Sequence, residues 1–198
     1  MKINYLFICL FGISLITYSC KNDSNTSTQN TEIGEEKEKQ LGTKQNEVLF
    51  SSVLAKAMIT PEVKTFLGFL ITTEQIDVLS KEDEPHTIFA PTNDAFKLLD
   101  EKKMKDFLNP ANKKELTKII RSHIVSGKLD SGSLVQNIND GNGSYQIQTL
   151  SGTTLTASQE GAEIILTDSN GQKAALGKSD INGSNGILHV LNAVLAVD

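Results

Sequence analysis

Three histidines, His86, His123 and His189, are the side chains of this chain that titrate near neutral pH and could pass a proton or hold a metal. A catalytic histidine needs a nucleophile beside it or a carboxylate to orient it, and the sequence contains no recognised arrangement of that kind. Nor are the three spaced as a histidine metal site. Oxygen donors gather beside glycine in Asn139-Asp-Gly-Asn-Gly143, Asp168-Ser-Asn-Gly171 and Asp180-Ile-Asn-Gly183. A calcium loop of the EF-hand type needs a bidentate glutamate at its twelfth position, and counting from Asp140 and Asp168 reaches Ser151 and Ser179. Hairpin turns account for all three segments, because Asx-Gly pairs supply positive φ at little cost. No Walker loop, nucleophile elbow or zinc-binding helix motif occurs. The expectation is no catalytic residue, no metal and no cofactor.

The elements that must position these side chains follow from periodicity. Val48, Leu49, Val53 and Leu54 recur at helical spacing and open the folded domain near Glu47. Thr60 and Pro61 form an N-cap followed by proline at the first helical position, ahead of a face built from Val63, Phe66, Leu67 and Leu70. A short helix after Thr72 or Thr73 ends near Leu79. Thr87-Ile-Phe-Ala90 is a buried strand stopped by Pro91, and Thr92 or Asn93 caps the helix carrying Phe96 and Leu99. Asn112 and Glu115 have the spacing of a capping box, opening a helix whose stripe is Leu116, Ile119, Ile120, His123 and Ile124. Beyond Gly127 the chain reads as strands. Tyr145, Ile147 and Thr149 alternate with Gln146 and Gln148, and Leu155, Ile164 to Leu166 and Ala174 to Leu176 mark further strands. These are broken near Ser151-Gly152, Asn170-Gly171 and Asn182-Gly183. In the last strand His189 shares a face with Ile187 and Leu191. A helix-rich front and a strand-rich back predict an α+β fold, a single domain with a helix-rich N-terminal half and an antiparallel β-sheet wedge.

The 198 residues carry 24 acidic side chains against 19 Lys and Arg, a net charge of −5, so nucleic acid is not an expected partner. Met1 to Ser19 contains Lys2, an apolar run from Tyr5 to Ile16 and the ending Thr17-Tyr-Ser-Cys20, the layout of a secretory signal. Its apolar core is short for a bilayer span. The Ser19-Cys20 ending resembles the lipobox of bacterial lipoproteins, in which the cysteine is lipidated and becomes the new N-terminus. Thr17 and Tyr18 depart from the usual Leu and small residue. That resemblance implies a lipid anchor at Cys20 and a place in the bacterial cell envelope, at the outer membrane; plain secretion and an uncleaved anchor are the alternatives. Losing the leader removes Cys9 and leaves Cys20 alone, so no internal disulfide can form. Lys21 to Asn46 is polar, with Ile33 and Leu41 as isolated aliphatics, and reads as a disordered tether. The organisation is a signal peptide (1–19), a lipidated cysteine with its tether (20–46) and one folded domain (47–198).

Two segments, Thr87-Ile-Phe-Ala-Pro-Thr-Asn-Asp-Ala-Phe96 and Asn185-Gly-Ile-Leu-His-Val-Leu-Asn-Ala-Val-Leu195, resemble the paired signature of the fasciclin domain. Ile119-Ile-Arg-Ser-His-Ile-Val-Ser-Gly127 supplies a third anchor, in which Ser122 occupies a position where that family commonly has Tyr. The resemblance covers roughly Glu47 to Asp198. It implies a non-enzymatic module for surface adhesion or for binding a protein or polysaccharide. Tyr-His and Asp-Ile pairs are implicated in integrin binding by animal members. Matched residue by residue, His123, Asp180 and Ile181 are the candidate adhesion contacts, although helical position favours a structural role for His123 and turn position one for Asp180. For His189 the resemblance implies a structural hydrogen bond. Two other readings stand beside adhesion: a periplasmic small-ligand carrier or enzyme without a visible motif, and an envelope protein that associates weakly with its own kind.

Overall fold

The computed structural model describes residues 51–196. The leader, Cys20, the tether and the domain start near Glu47 lie outside the described residues. The described chain begins with helix α1 (Val53–Met58), capped by the Ser52 hydroxyl, which accepts from the Ala55 amide at 3.2 Å. A 3₁₀ turn with Pro61 at its first position leads into α2 (Lys64–Thr72), and the single turn α3 (Ile76–Leu79) follows. The Thr60 hydroxyl does not cap forward as expected. It donates back to the Lys56 carbonyl at 2.7 Å and so closes α1 instead.

Strand β1 (His86–Pro91) is buried along its whole length, one residue longer at each end than the sequence pattern indicates. Pro91 occupies its last position, and Thr92 N-caps α4 (Asn93–Lys97) by accepting from the Ala95 amide at 3.0 Å. Asn93 makes a different bond: its Oδ1 accepts from the Thr65 amide and its Nδ2 donates to the Pro61 carbonyl, both at 2.9 Å. That side chain ties α4 to the start of α2. Helix α5 (Glu101–Leu108) starts at an Asp100 cap and buries only Phe107 fully. The expected capping box at Asn112 is not made. A 3₁₀ turn over Pro110–Asn112 lets the Asn112 side-chain Nδ2 donate to the Asp106 carbonyl at 3.2 Å, and Asn109 supplies the cap. Helix α6 (Lys113–Ser122) ends one residue before His123, so Ile124 opens β2 (Ile124–Ser126) rather than extending the helical stripe.

After Gly127 the chain does not turn wholly to strands. Asp130 accepts from the Ser133 amide at 2.7 Å and caps α7 (Ser131–Asp140), which buries Leu134 and Ile138. Asn139 and Asp140 therefore close a helix, and Asn142 at φ 55° and Gly143 at φ 95° carry the turn into β3, where a hairpin was expected. A four-stranded antiparallel meander follows: β3 (Ser144–Gln148), β4 (Thr154–Glu160), β5 (Glu163–Thr167) and β6 (Lys173–Ala175), in that spatial order. Asp168 to Gly171 makes the β5–β6 hairpin, as its Asx-Gly pattern indicates.

The other sheet has the order β2, β1, β8, β7, with β7 (Ile181–Gly183) and β8 (Gly186–Leu191) forming a tight hairpin. Its central pair is parallel, with Phe89 opposite His189 and Pro91 opposite Leu191, while the outer pairs are antiparallel. The fold is α+β in one domain, with one antiparallel and one mixed sheet. Alternation along β1 sorts its side chains between two cores. Ile88 and Ala90 join the helices over one face, with Phe66, Phe96, Leu116 and Ile120. Phe89 joins the core shared with α7 and the meander, with Leu134, Ile138, Leu155 and Leu191.

The β7–β8 turn fits against α1 at very short range. A Cβ at Gly183 would stand 2.3 Å from the Val53 amide nitrogen, and one at Gly186 would stand 2.1 Å from the His86 carbonyl oxygen. Asn185, between them, is buried and spends its whole side chain on the fold. Its Oδ1 accepts from the Val53 amide at 2.9 Å, and its Nδ2 donates to the carbonyls of Leu79 at 2.8 Å and Lys81 at 3.1 Å.

Candidate functional site

Both candidate histidines of the sequence signatures sit inside the domain, on opposite sides of Phe89. The Phe89 amide donates to the His123 carbonyl at 2.9 Å, and its ring stacks on that of His189 with centroids 5.3 Å apart and planes inclined by 17°. His123 caps the C-terminus of α6. Its Nδ1–H donates to the Ile119 carbonyl at 2.8 Å, which leaves Nε2 bare to accept the Leu195 amide at 3.1 Å. The two partners fix the neutral tautomer. Burial drives its pKa down from 6.5 to about 4, against smaller upward pulls from the Ile119 carbonyl and from Asp168. No part of a partner can reach this ring.

Ser122, His123 and Asp168 are the types of a nucleophilic triad, and the geometry assigns them other duties. The Ser122 hydroxyl donates to the Ile119 carbonyl at 2.6 Å and stands 3.4 Å from Nδ1, the nitrogen that already carries a proton. The other ring nitrogen is filled by Leu195. Asp168 accepts from the Asn170 and Gln172 amides through Oδ1, both at 2.9 Å, and from the Ala196 amide through Oδ2 at 2.6 Å. Hydroxyl, imidazole and carboxylate are thus engaged by the backbone rather than in a relay toward one another.

His189 is likewise buried with both nitrogens used. Nε2–H donates to the Leu129 carbonyl at 2.8 Å, and Nδ1 accepts the Asp180 amide at 3.3 Å. Burial lowers its pKa, with Leu129, Asp180 and Asp130 pulling the other way. Asp180 holds φ 58°, and its carboxylate accepts from both the amide and the hydroxyl of Ser131, the first residue of α7. Burial alone raises the Asp180 pKa; the Ser131 bonds, His189 and Ser179 together bring it below the ordinary value. Ile181 is half-buried against the helical core. Asp180 precedes β7 and turns to Ser131 of α7, while Ile181 opens β7 and packs on the helical core, so the two half-buried side chains have different neighbours; Asp180 is joined to His189 through its amide. His86, the third histidine, opens β1 and is buried with its Nδ1 unpartnered among the described residues.

Two depressions open between the elements that hold these residues. One, of about 550 Å³, lies between α6, the β3–β4 turn, the β5–β6 turn and the segment at Ala196. The other, of about 280 Å³, lies beside Ser131 and Ser179 and is floored by Val135, Ile164 and Leu176. Among the described residues no group of three or more His, Cys, Asp or Glu side chains is placed to hold a metal ion, and no helix is long and apolar enough to cross a membrane.

Residues 61–197 match the family model of the fasciclin domain. The chain belongs to the fasciclin-domain family. It is 30% identical over 131 residues to Protein sll1483 of Synechocystis sp., a match that takes in 66% of this chain and 65% of that protein. It is 29% identical over 110 residues to transforming growth factor-beta-induced protein ig-h3 of Sus scrofa, over 56% of this chain and 14% of that protein. The chain thus spans less than two thirds of the length of either relative. A solved FAS1 domain pair from the insect cell adhesion molecule Fasciclin I shares the fold, with a TM-score of 0.58 at 18% identity over 75% of this chain and 51% of that one. Fasciclin domains are associated with cell adhesion and binding, are generally non-enzymatic and are typically extracellular or at the cell surface.

The sequence patterns mark His123, His189, Asp180 and Ile181, and do not mark the contacts of Asp168, Leu195 and Ser131 that hold them. Asp168 reads from sequence only as part of a hairpin turn. Its second role, holding the C-terminal segment beside His123, has no local signal, because Ala196 is a sequence-distant partner. Ser131 carried a legible one: Asp130-Ser-Gly-Ser133 is an N-cap sequence ahead of Leu134 and Ile138.

Proposed function

We propose that this chain is an envelope-anchored, non-enzymatic binding module that presents its fasciclin domain outside the cytoplasm for adhesion or for holding a protein or polysaccharide. The observation that carries the reading is the engagement of the candidate chemistry by the fold itself. His123 and His189 have both nitrogens bonded to backbone groups, and Asp168 and Asp180 are held by backbone amides. Recognition then falls to the outer surface. Of the three adhesion candidates, Asp180 and Ile181 each keep part of their surface exposed, while His123 is buried and acts from beneath by fixing the C-terminal segment.

Beads bearing the full chain are expected to retain cell-envelope fragments, while beads bearing a Phe89→Ala, Gly186→Val double variant that shows no folding transition, its second change driving a side chain into the His86 carbonyl, do not. Equal retention by both would remove the binding-module reading.

Cys20 is the lipid anchor of this proposal and the membrane its first partner, with residues 21–46 as the spacer. A flexible spacer of about 26 residues samples a few nanometres by the scaling of roughly 5–6 Å × √n. Cys20→Ser is expected to move the protein from the membrane pellet to the soluble fraction. A variant that still sediments with membranes after a carbonate wash would show that another element holds it there.

A further inference from the structure

The 550 Å³ depression is a built groove, and its lining specifies a ligand chemistry. Its volume falls in the range of about 300–1,000 Å³ usual for small-molecule sites. One wall is a stripe of α6 that presents Glu115 and Lys118 at the rim over Ile119. Facing it are Ser151 and Thr153 of the β3–β4 turn and Ser169 of the β5–β6 turn. The charges of Glu115 and Lys118 cancel, and neither an aromatic ring nor a thiol or imidazole lines the space among the described residues. The Ser151 and Thr153 hydroxyls are bonded to each other and to Thr149, while the Lys118 ammonium donates, the Glu115 carboxylate accepts and the Ser169 hydroxyl does both, so the lining suits a ligand that alternates donors and acceptors along its length. An ionic ligand would meet no net countercharge.

The walls are also held in place before any ligand arrives. Arg121 Nε donates to the Leu150 carbonyl at 3.0 Å and fastens the β3–β4 turn to α6. Within that turn the Ser151 hydroxyl lies 2.9 Å from that of Thr149 and 2.8 Å from that of Thr153, which orients the row. Asp168, buried, bonds the amides of Asn170 and Gln172 with one oxygen and that of Ala196 with the other, so a single carboxylate sets two further walls. Binding to such a site spares the ordering cost that loose loops would impose.

We infer that this groove binds an uncharged saccharide, one or two rings of a glycan chain. The inference rests on the binding-module reading and names the partner class of that module. Saturation-transfer NMR on the full chain, held in a zwitterionic detergent free of sugar, tests it with cellobiose, maltose and N,N′-diacetylchitobiose as probes and a tetraglutamate peptide as the charged comparison. At least one disaccharide is expected to show transfer. Ser169→Trp, at an exposed turn position, is expected to keep the parent's urea midpoint and to weaken transfer at least about tenfold by filling the mouth. Ala162→Trp, beside the smaller depression, is expected to leave it unchanged. Transfer to the peptide alone, to none of the probes, or equally in Ser169→Trp would overturn the inference. The bead assay separates the two levels: retention that survives periodate but not protease, and survives Ser169→Trp, removes the saccharide and keeps the module.

Discussion

Phe89→Ala is expected to destabilise the domain by about 3–5 kcal/mol, the cost of deleting a fully buried aromatic ring together with the cavity it leaves. Phe89 lies in the central strand of the mixed sheet, and its side chain enters the core shared with α7 and the meander. The substitution opens a core that Phe89 shares with Leu134 and Ile138 of α7, Leu155 of β4 and Leu191 of β8, so three other elements lose packing at once. It also strips the stacked face of His189, whose two nitrogens fasten Leu129 before α7 and Asp180 before β7. The backbone bond from Phe89 to the His123 carbonyl survives, so strand pairing is not the quantity being measured. Urea denaturation at neutral pH should show the midpoint fall with the slope unchanged. An unfolding free energy that stays within about 1 kcal/mol of the parent's would contradict the burial of this ring.

That residue also shows how much of the molecule the sequence disclosed. Thr87 to Ala90 is legible as a buried strand, and Pro91 with Thr92 as its end and the next cap, because each step has a local stereochemical cause. The alternation of Tyr145, Ile147 and Thr149 is legible for the same reason. The parallel partnership of β1 with β8 is not. It joins residues about a hundred positions apart, and a short apolar strand carries no mark of its neighbour's direction. Helix α7 escaped because Leu134 and Ile138 are its only fully buried positions, set among Ser, Gly and Asn that favour turns. Helix α5 escaped because its exposed face is charged and Phe107 alone is buried. At the candidate site the residue types were visible and their partners were not. Whether a histidine serves a ligand or the fold depends on Leu195, Leu129 and Asp180 reaching it from distant segments.

The partners of His123 lead to a second large effect, in the pH dependence of stability. The folded domain holds this ring neutral with a pKa of about 4, whereas the unfolded chain titrates near 6.5. Above pH 6.5 neither state is protonated, and the full stability of the buried ring is present. As pH falls from 6.5 toward 4 the unfolded chain takes up a proton that the native state refuses, so unfolding is favoured progressively. Below about 4 the native ring is protonated as well and the loss levels off. At about 1.4 kcal/mol per pH unit the window amounts to roughly 3 kcal/mol. His189 and His86 are shifted in the same direction by burial and add to the fall. Asp180, shifted down, contributes stability that is lost only as pH drops through its own lower value. His123→Gln separates the terms. Its side chain does not titrate, so the difference in unfolding free energy between pH 7 and pH 4.5 should shrink by the His123 share, even though the variant is weaker at pH 7. If parent and variant lose equal stability over that interval, His123 is not the buried neutral group that ties α6 to Leu195, and the fall belongs to the other two histidines.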